Sequence, residues 1–334
     1  MIKLKQSLIV IFIIFICLEV VSTLLNKFSN QLEIFRVWGF AELTKNGRIT
    51  LKKNHESNVD DKWMVYTDEN RLRTRSIIDN KNINTDIQKI LFIGDSVPFG
   101  WGVSYENSIP GILENKFSKM TVLNGSIPSF SLSQSVERFE KEFKNIKNIK
   151  FIYLQIIDPA MQYNYMRGDW VKNVNWSNIV FILDLKDKFL FKYDKLPLYG
   201  ELNFLKLIQK FYYKYVRKGT LKKFKKIDET SDRRFVNHIN NELNKIYKLI
   251  NKDTTLIISP ATLNIKKNKE IYAINLLNLQ LKNFNKENVI YLDTINLLKK
   301  YDADKIYTDN CCHLSKLGND MVANEIYKVI NASK

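Results

Sequence analysis

Five short apolar runs punctuate the chain: Ile90–Ile93, Met120–Leu123, Lys150–Ile157, Thr255–Ser259 and Val289–Leu292. Each is continuous rather than alternating and is bounded by turn-forming residues, which predicts strands buried on both faces of a parallel sheet. The stretches between them read differently. Ser104–Lys119 predicts a loop and helix, Phe235–Asn251 a polar-faced helix, Glu270–Phe284 a helix, and Met321–Ile330 a final helix. Strand and helix alternate, so the expected fold is α/β: a three-layer α/β/α sandwich with a central parallel sheet and right-handed crossovers.

Two regions break this rhythm. Residues 28–89 form a preface with one predicted strand and turn at Trp63–Asn70, followed by Arg71, Arg73 and Arg75 at alternate positions. Alternate residues share one face of a strand, and the three arginines read as a solvated edge. Residues 161–231 fit no alternation and read as an insertion or cap. Within it, Phe204, Ile208, Phe211 and Tyr215 recur at helical spacing among Lys206, Lys210, Lys214, Arg217 and Lys218. This predicts a cap helix packing an aromatic stripe on the core, in preference to a helix lying on anionic lipid.

The N-terminus sets the expected compartment. Lys3 and Lys5 precede Leu8–Leu18, and apolar character resumes at Val20, Val21, Leu24 and Leu25, interrupted by Glu19. The length approaches the ~20 residues of a spanning helix, and no small-x-small cleavage site follows. Residues 1–27 therefore read as an uncleaved signal anchor: one transmembrane helix, with the remaining chain on the extracytoplasmic side of the cytoplasmic membrane.

Composition adds exclusions. A hydrophobic content of 45% supports a sizeable core. The net charge of +17 is spread along the chain rather than gathered on one element, so no nucleic-acid partner is expected. Cys17, Cys311 and Cys312 make no disulfide framework, and with three histidines they offer no recognised metal spacing. Neither a metal nor a cofactor is expected.

Candidate chemistry gathers after the first apolar run. Gly94-Asp95-Ser96 follows directly, and a serine beyond the carboxyl end of a buried parallel strand stands where open α/β sheets bind ligands. The segment GDSVPFGWGV, continued by Glu106-Asn107-Ser108-Ile109-Pro110 and Leu113-Glu114, resembles the first block of the SGNH (GDSL-type) hydrolases, most closely their membrane-anchored members. The resemblance implies a flavodoxin-like sandwich and makes Ser96 the nucleophile. Asn124–Gln134 resembles the second block, where a glycine lends its N–H to the oxyanion hole. Aligning Asn124 and Pro128 places Ser126 at that position, with Gly125 one residue early. In the third block the family has an asparagine. Asp158 stands nearest that place, and an ionised carboxylate cannot donate. The expected oxyanion hole is therefore drawn from Ser96, Gly125, Ser126 and Asp158.

Thr308-Asp309-Asn310-Cys311-Cys312-His313 resembles the last block, in which a histidine is the base and an aspartate orients it. Family spacing points to Asn310. Chemistry points to Asp309, because a carboxylate stabilises an imidazolium and an amide does not. The catalytic set expected is Ser96, His313 and Asp309. The resemblance implies an extracytoplasmic esterase or acyltransferase acting on acyl esters, such as O-acetyl groups, of a surface glycan or lipid. The alternative is a catalytically weak or inactive protein of the same fold that binds glycan or assists polysaccharide assembly.

Overall fold

The computed structural model describes Cys17 and residues 39–43, 49–59, 61–79, 81, 83–128, 130–156, 229–260, 271–309 and 312–333. The chain divides into two units. One comprises Met1–Trp38, Thr44–Arg48 and Val174–Glu229, and the other holds Gly39–Leu43, Ile49–Asn173 and Thr230–Lys334. Both sheets lie in the second unit. The expected anchor over 1–27 lies outside the described residues apart from Cys17, as do the cap over 161–231 except its last residues and the basic helix within it. Among the described residues no helix is long and apolar enough to cross a membrane.

The strands are β1 (Ala41–Leu43), β2 (Ile49–Leu51), β3 (His55–Val59), β4 (Trp63–Thr67), β5 (Arg73–Thr74), β6 (Gln88–Ile93), β7 (Met120–Asn124), β8 (Ile149–Ile156), β9 (Thr255–Pro260) and β10 (Val289–Tyr291). The helices are α1 (Ser96–Phe99), α2 (Ile109–Lys116), α3 (Leu132–Arg138), α4 (Glu229–Leu249), α5 (Ile271–Asn283), α6 (Thr294–Leu298), α7 (Ala303–Ile306) and α8 (Lys316–Ala332). β1 and β2 form a separate antiparallel pair.

The main sheet runs β10-β9-β8-β6-β7-β5-β4-β3. Its first five members are parallel and coincide with the five apolar runs. Taken in chain order they are arranged 2-1-3-4-5, so the order reverses between β6 and β8, where such sheets hold their ligands. The expected purely parallel sheet needs correction, because β5, β4 and β3 extend it antiparallel from β7. The preface is thus an edge of the same sheet. Hairpins can add strands to a sheet without the helical crossover that parallel pairing demands.

Successive residues of β6 separate the two cores. Ile90 and Phe92 enter one, which α2, α6 and α8 cover. Leu91 and Ile93 enter the other, beneath α3, α4 and α5. The period-two alternation of a strand and the doubly buried apolar run together produce the three layers. α4 shows the matching helical logic, with Ile239, Leu243 and Ile246 buried along one face.

Candidate active site

β6 ends at Gly94, whose φ of 145° is open to glycine and strained for other residues. A Cβ there would also lie 2.9 Å from Gln155 O and 3.0 Å from a Pro98 ring carbon. The chain turns directly into α1. Asp95 is its N-cap, and Asp95 Oδ1 accepts from the Val97 N–H at 3.0 Å. Ser96 is the first helical residue, so its own N–H has no partner within the helix. Pro98 sits in the first turn, where a missing N–H costs nothing. Gly100 closes the helix in the left-handed region, and the Trp101 N–H reaches back to Ser96 O at 2.9 Å.

The histidine arrives on the opposite loop. Tyr307 and Leu314 form an antiparallel bridge, and Thr308 donates its N–H to His313 O at 2.9 Å, closing a narrow turn. Inside it Asp309 Oδ1 accepts from the N–H groups of Cys312 (3.0 Å) and His313 (3.3 Å). Cys312 is buried in the core against the sheet. Ser315 then caps α8 through the Gly318 N–H.

These two loops meet. His313 Nε2 lies 2.9 Å from Ser96 Oγ, and His313 Nδ1 lies 2.5 Å from Asp309 Oδ2. The histidine is half-buried and Ser96 keeps 9% of its surface exposed, so the serine remains reachable. Asp309 stands where the carboxylate was expected. Asn310, the other residue considered, lies outside the described residues, and so does Asp158. Of the other histidines, His238 has its Nε2 3.2 Å from Ser133 Oγ, and burial lowers its pKa. His55 belongs to the edge strand β3.

The second block requires a correction. The Gly125 N–H donates to Phe92 O at 2.9 Å, continuing the β6–β7 pairing, so Gly125 has no N–H to turn toward an oxyanion. The Ser126 N–H, two residues past the end of β7, makes a 3.2 Å hydrogen bond to Asn124 Oδ1. Ser126 is not among the described residues with positive φ, which explains why serine can occupy the family's glycine position.

The arginines were expected on a solvated edge, and the structure divides them. Arg71 pairs with Glu42 at 3.0 Å, and Arg75 donates to Asn115 at 2.8 Å. Arg73 is wholly buried. It donates from Nη1 to Phe99 O (2.5 Å) and Gly100 O (2.7 Å), and from Nη2 to Val103 O (2.7 Å). Its guanidinium lies over the rings of Phe99 (4.7 Å) and Trp63 (5.1 Å). Arg138, which the pattern did not single out, braces the second loop, donating to Gly125 O (2.6 Å) and Arg71 O (2.9 Å). The Trp101 ring stands 5.9 Å from the His313 ring and 5.3 Å from Trp63. Only the alternation of Arg71, Arg73 and Arg75 hinted at any of this, because the partners are distant in sequence.

No family model matches the chain, and no curated protein does. Solved structures similar in outline include a member of the lipolytic protein G-D-S-L family from Veillonella parvula, 13% identical with a TM-score of 0.44, covering 73% of this chain and 98% of its own. Another is the lipase/acylhydrolase from Enterococcus faecalis, at 12% identity and a TM-score of 0.42, over 74% of this chain and 96% of its own. The C-terminal catalytic domain of peptidoglycan O-acetyltransferase A from Streptococcus pneumoniae is 11% identical with a TM-score of 0.41, over 74% and 95%. Likenesses of this degree leave the chemistry to be read from Ser96, His313 and Asp309 themselves.

Proposed function

We propose that this chain is a serine-dependent enzyme acting on acyl esters, an esterase or acyltransferase. The observation that carries the reading is the continuous contact from Ser96 Oγ to His313 Nε2 and from His313 Nδ1 to Asp309 Oδ2. With Asp309 accepting the Nδ1 proton, Nε2 is left as the acceptor of the Ser96 hydroxyl proton. Ser96 Oγ attacks the ester carbonyl as His313 takes that proton. The resulting imidazolium, held by Asp309, returns the proton to the departing alkoxide as the acyl-enzyme forms. Water or a second hydroxyl, deprotonated in turn by His313, then releases the acyl group. The N–H groups of Ser96 and Ser126 serve the oxyanion, and no cofactor enters these steps.

The substrate belongs to the acylated glycans or lipids of a cell surface. The apolar run after Lys3 and Lys5 supports a chain held at the cytoplasmic membrane by one N-terminal span, with the enzyme outside. A binding protein on the same fold would not need a serine, an imidazole and a carboxylate in hydrogen-bonded series. A serine-reactive fluorophosphonate tests the reading on the purified full chain. The wild type is expected to label, Ser96→Ala not to label, and His313→Ala to label at least 100-fold more slowly, within the range that loss of a triad member imposes. Equal labelling of wild type and Ser96→Ala overturns it.

A further inference from the structure

Arg73 is a buried cation, and its hydrogen-bond partners among the described residues are main-chain carbonyls: Phe99 O, Gly100 O and Val103 O. Its Nε has no partner among the described residues. Burying a charge is costly unless dipoles or a counter-ion compensate it. Here three carbonyls and the faces of Phe99 and Trp63 do so. Burial lowers the guanidinium's pKa to about 9, which leaves it cationic at neutral pH.

What Arg73 grips is the segment that follows Ser96 and packs against His313. α1 is a single turn, too short to persist by its own hydrogen bonds. Asp95 closes its amino end, and Arg73 closes its carboxyl end on Phe99 O and Gly100 O. The Arg73 charge has the sign that complements the carboxyl end of the helix dipole, and the Asp95 carboxyl caps the amino end by accepting from the Val97 N–H. Asn124 Nδ2 adds a further bond to Phe99 O at 3.2 Å. Trp101, between the gripped carbonyls of Gly100 and Val103, carries its ring to 5.9 Å from His313. One planar fork therefore fixes the turn that bears Ser96 and the loop that packs against His313. Arg73 itself comes from β5, whose register with Asn124 ties it to the second block.

Resting on the reading of Ser96 as nucleophile, we infer that Arg73 is a positioning residue that holds α1 and the 99–103 loop so that Ser96 and His313 stay in reacting geometry. It touches neither partner. Its effect is on how often the pair is aligned, and misplacements of about 1 Å can lower a rate ~100-fold. Lysine would keep the charge but not the fork.

The test uses the purified full chain as wild type, Arg73→Lys and Arg73→Met. Fluorophosphonate titration counts active Ser96, and p-nitrophenyl acetate hydrolysis is expressed per titrated site, which separates slower sites from fewer folded molecules. Arg73→Met is expected to lower kcat per site roughly 10- to 100-fold with KM changed less than about twofold, and Arg73→Lys to fall between. In a Ser96→Ala background, Arg73→Met should also speed amide exchange over 96–103 while β8 and β9 keep their protection. Wild-type kcat per site in Arg73→Met overturns the inference. If Arg73→Met does not fold, Arg73→Lys decides by the same criterion, a lowered kcat per site supporting it and an unchanged one overturning it. A wild type that neither labels nor hydrolyses overturns the proposed function instead.

Discussion

Asp95, beside Ser96, is the residue whose charge is hardest to accommodate. It is 1% exposed, and its Oδ2 has no partner among the described residues. Burial drives its pKa up to about 7, although the Val97 N–H opposes the shift. Between roughly pH 4 and pH 7 the folded chain holds a proton that the unfolded chain has released, so this group makes stability fall as pH rises through that window. Above it, a buried carboxylate remains. Asp95→Asn keeps a good N-cap and removes the charge. The variant is expected to exceed wild type in stability at pH 8 by a few kcal/mol, with the gain shrinking toward pH 4. Urea unfolding at pH 4.5 and pH 8 checks this, and an equal difference at both would mean that Asp95 is not neutralised by folding. The contact series from Ser96 through His313 to Asp309 was legible in sequence, because Ser96 lies in a specific local motif and Asp309 lies four residues before His313. Gly125 was misread because what consumes its N–H, Phe92 O, lies on a neighbouring strand.

At the scale of elements, legibility followed burial on both faces. The five parallel strands are continuous apolar runs, and all five were found near their observed bounds. In the antiparallel edge the strand expected at Trp63 is β4, whereas β3 and β5 escaped, and β5 has only two residues and carries a buried arginine where an apolar side chain would have signalled a core. The element most exposed to substitution is α1 with its closing loop. Gly100 and Gly102 both have positive φ, 87° and 82°, so alanine at either position incurs backbone strain of about 1–2 kcal/mol. Their surroundings differ. A Cβ at Gly100 would meet Ser108 Cβ at 2.4 Å and Arg73 Nη1 at 2.7 Å, whereas one at Gly102 meets Thr308 Oγ1 at 3.6 Å. Gly100→Ala is therefore expected to lose about 2–4 kcal/mol and to impair labelling of Ser96, while Gly102→Ala loses the strain alone. Thermal melts of the pair decide, and equal losses would show that the space around Gly100 yields without cost.

For the whole molecule, the consequence lies in where the sheet ends. The parallel strands alone would make a complete 2-1-3-4-5 sandwich with the site at the reversal, and a boundary at residue 90 follows naturally from the apolar pattern. The structure instead continues the sheet beyond β7 through β5, β4 and β3. That edge supplies Arg73 to the 99–103 loop and Leu72 to the core under α3. Phe40 and Trp63 pack on Phe99 at 5.2 and 6.4 Å between ring centroids. Phe40, Leu51, Val59, Val65 and Leu72 are at most 1% exposed. At roughly 1.5–3 kcal/mol for each fully buried side chain, their removal forfeits on the order of 10 kcal/mol, which rivals the net stability of about 5–15 kcal/mol typical of a domain. It would also open the β7 edge to pairing with other chains. A chain beginning at residue 28 is therefore expected to be soluble, to melt cooperatively and to label with fluorophosphonate. One beginning at residue 88 should aggregate or fail to melt cooperatively, and should not label. A folded, labelling chain that starts at residue 88 would show that the antiparallel edge is an appendage, and Arg73 would then lose its place in the site.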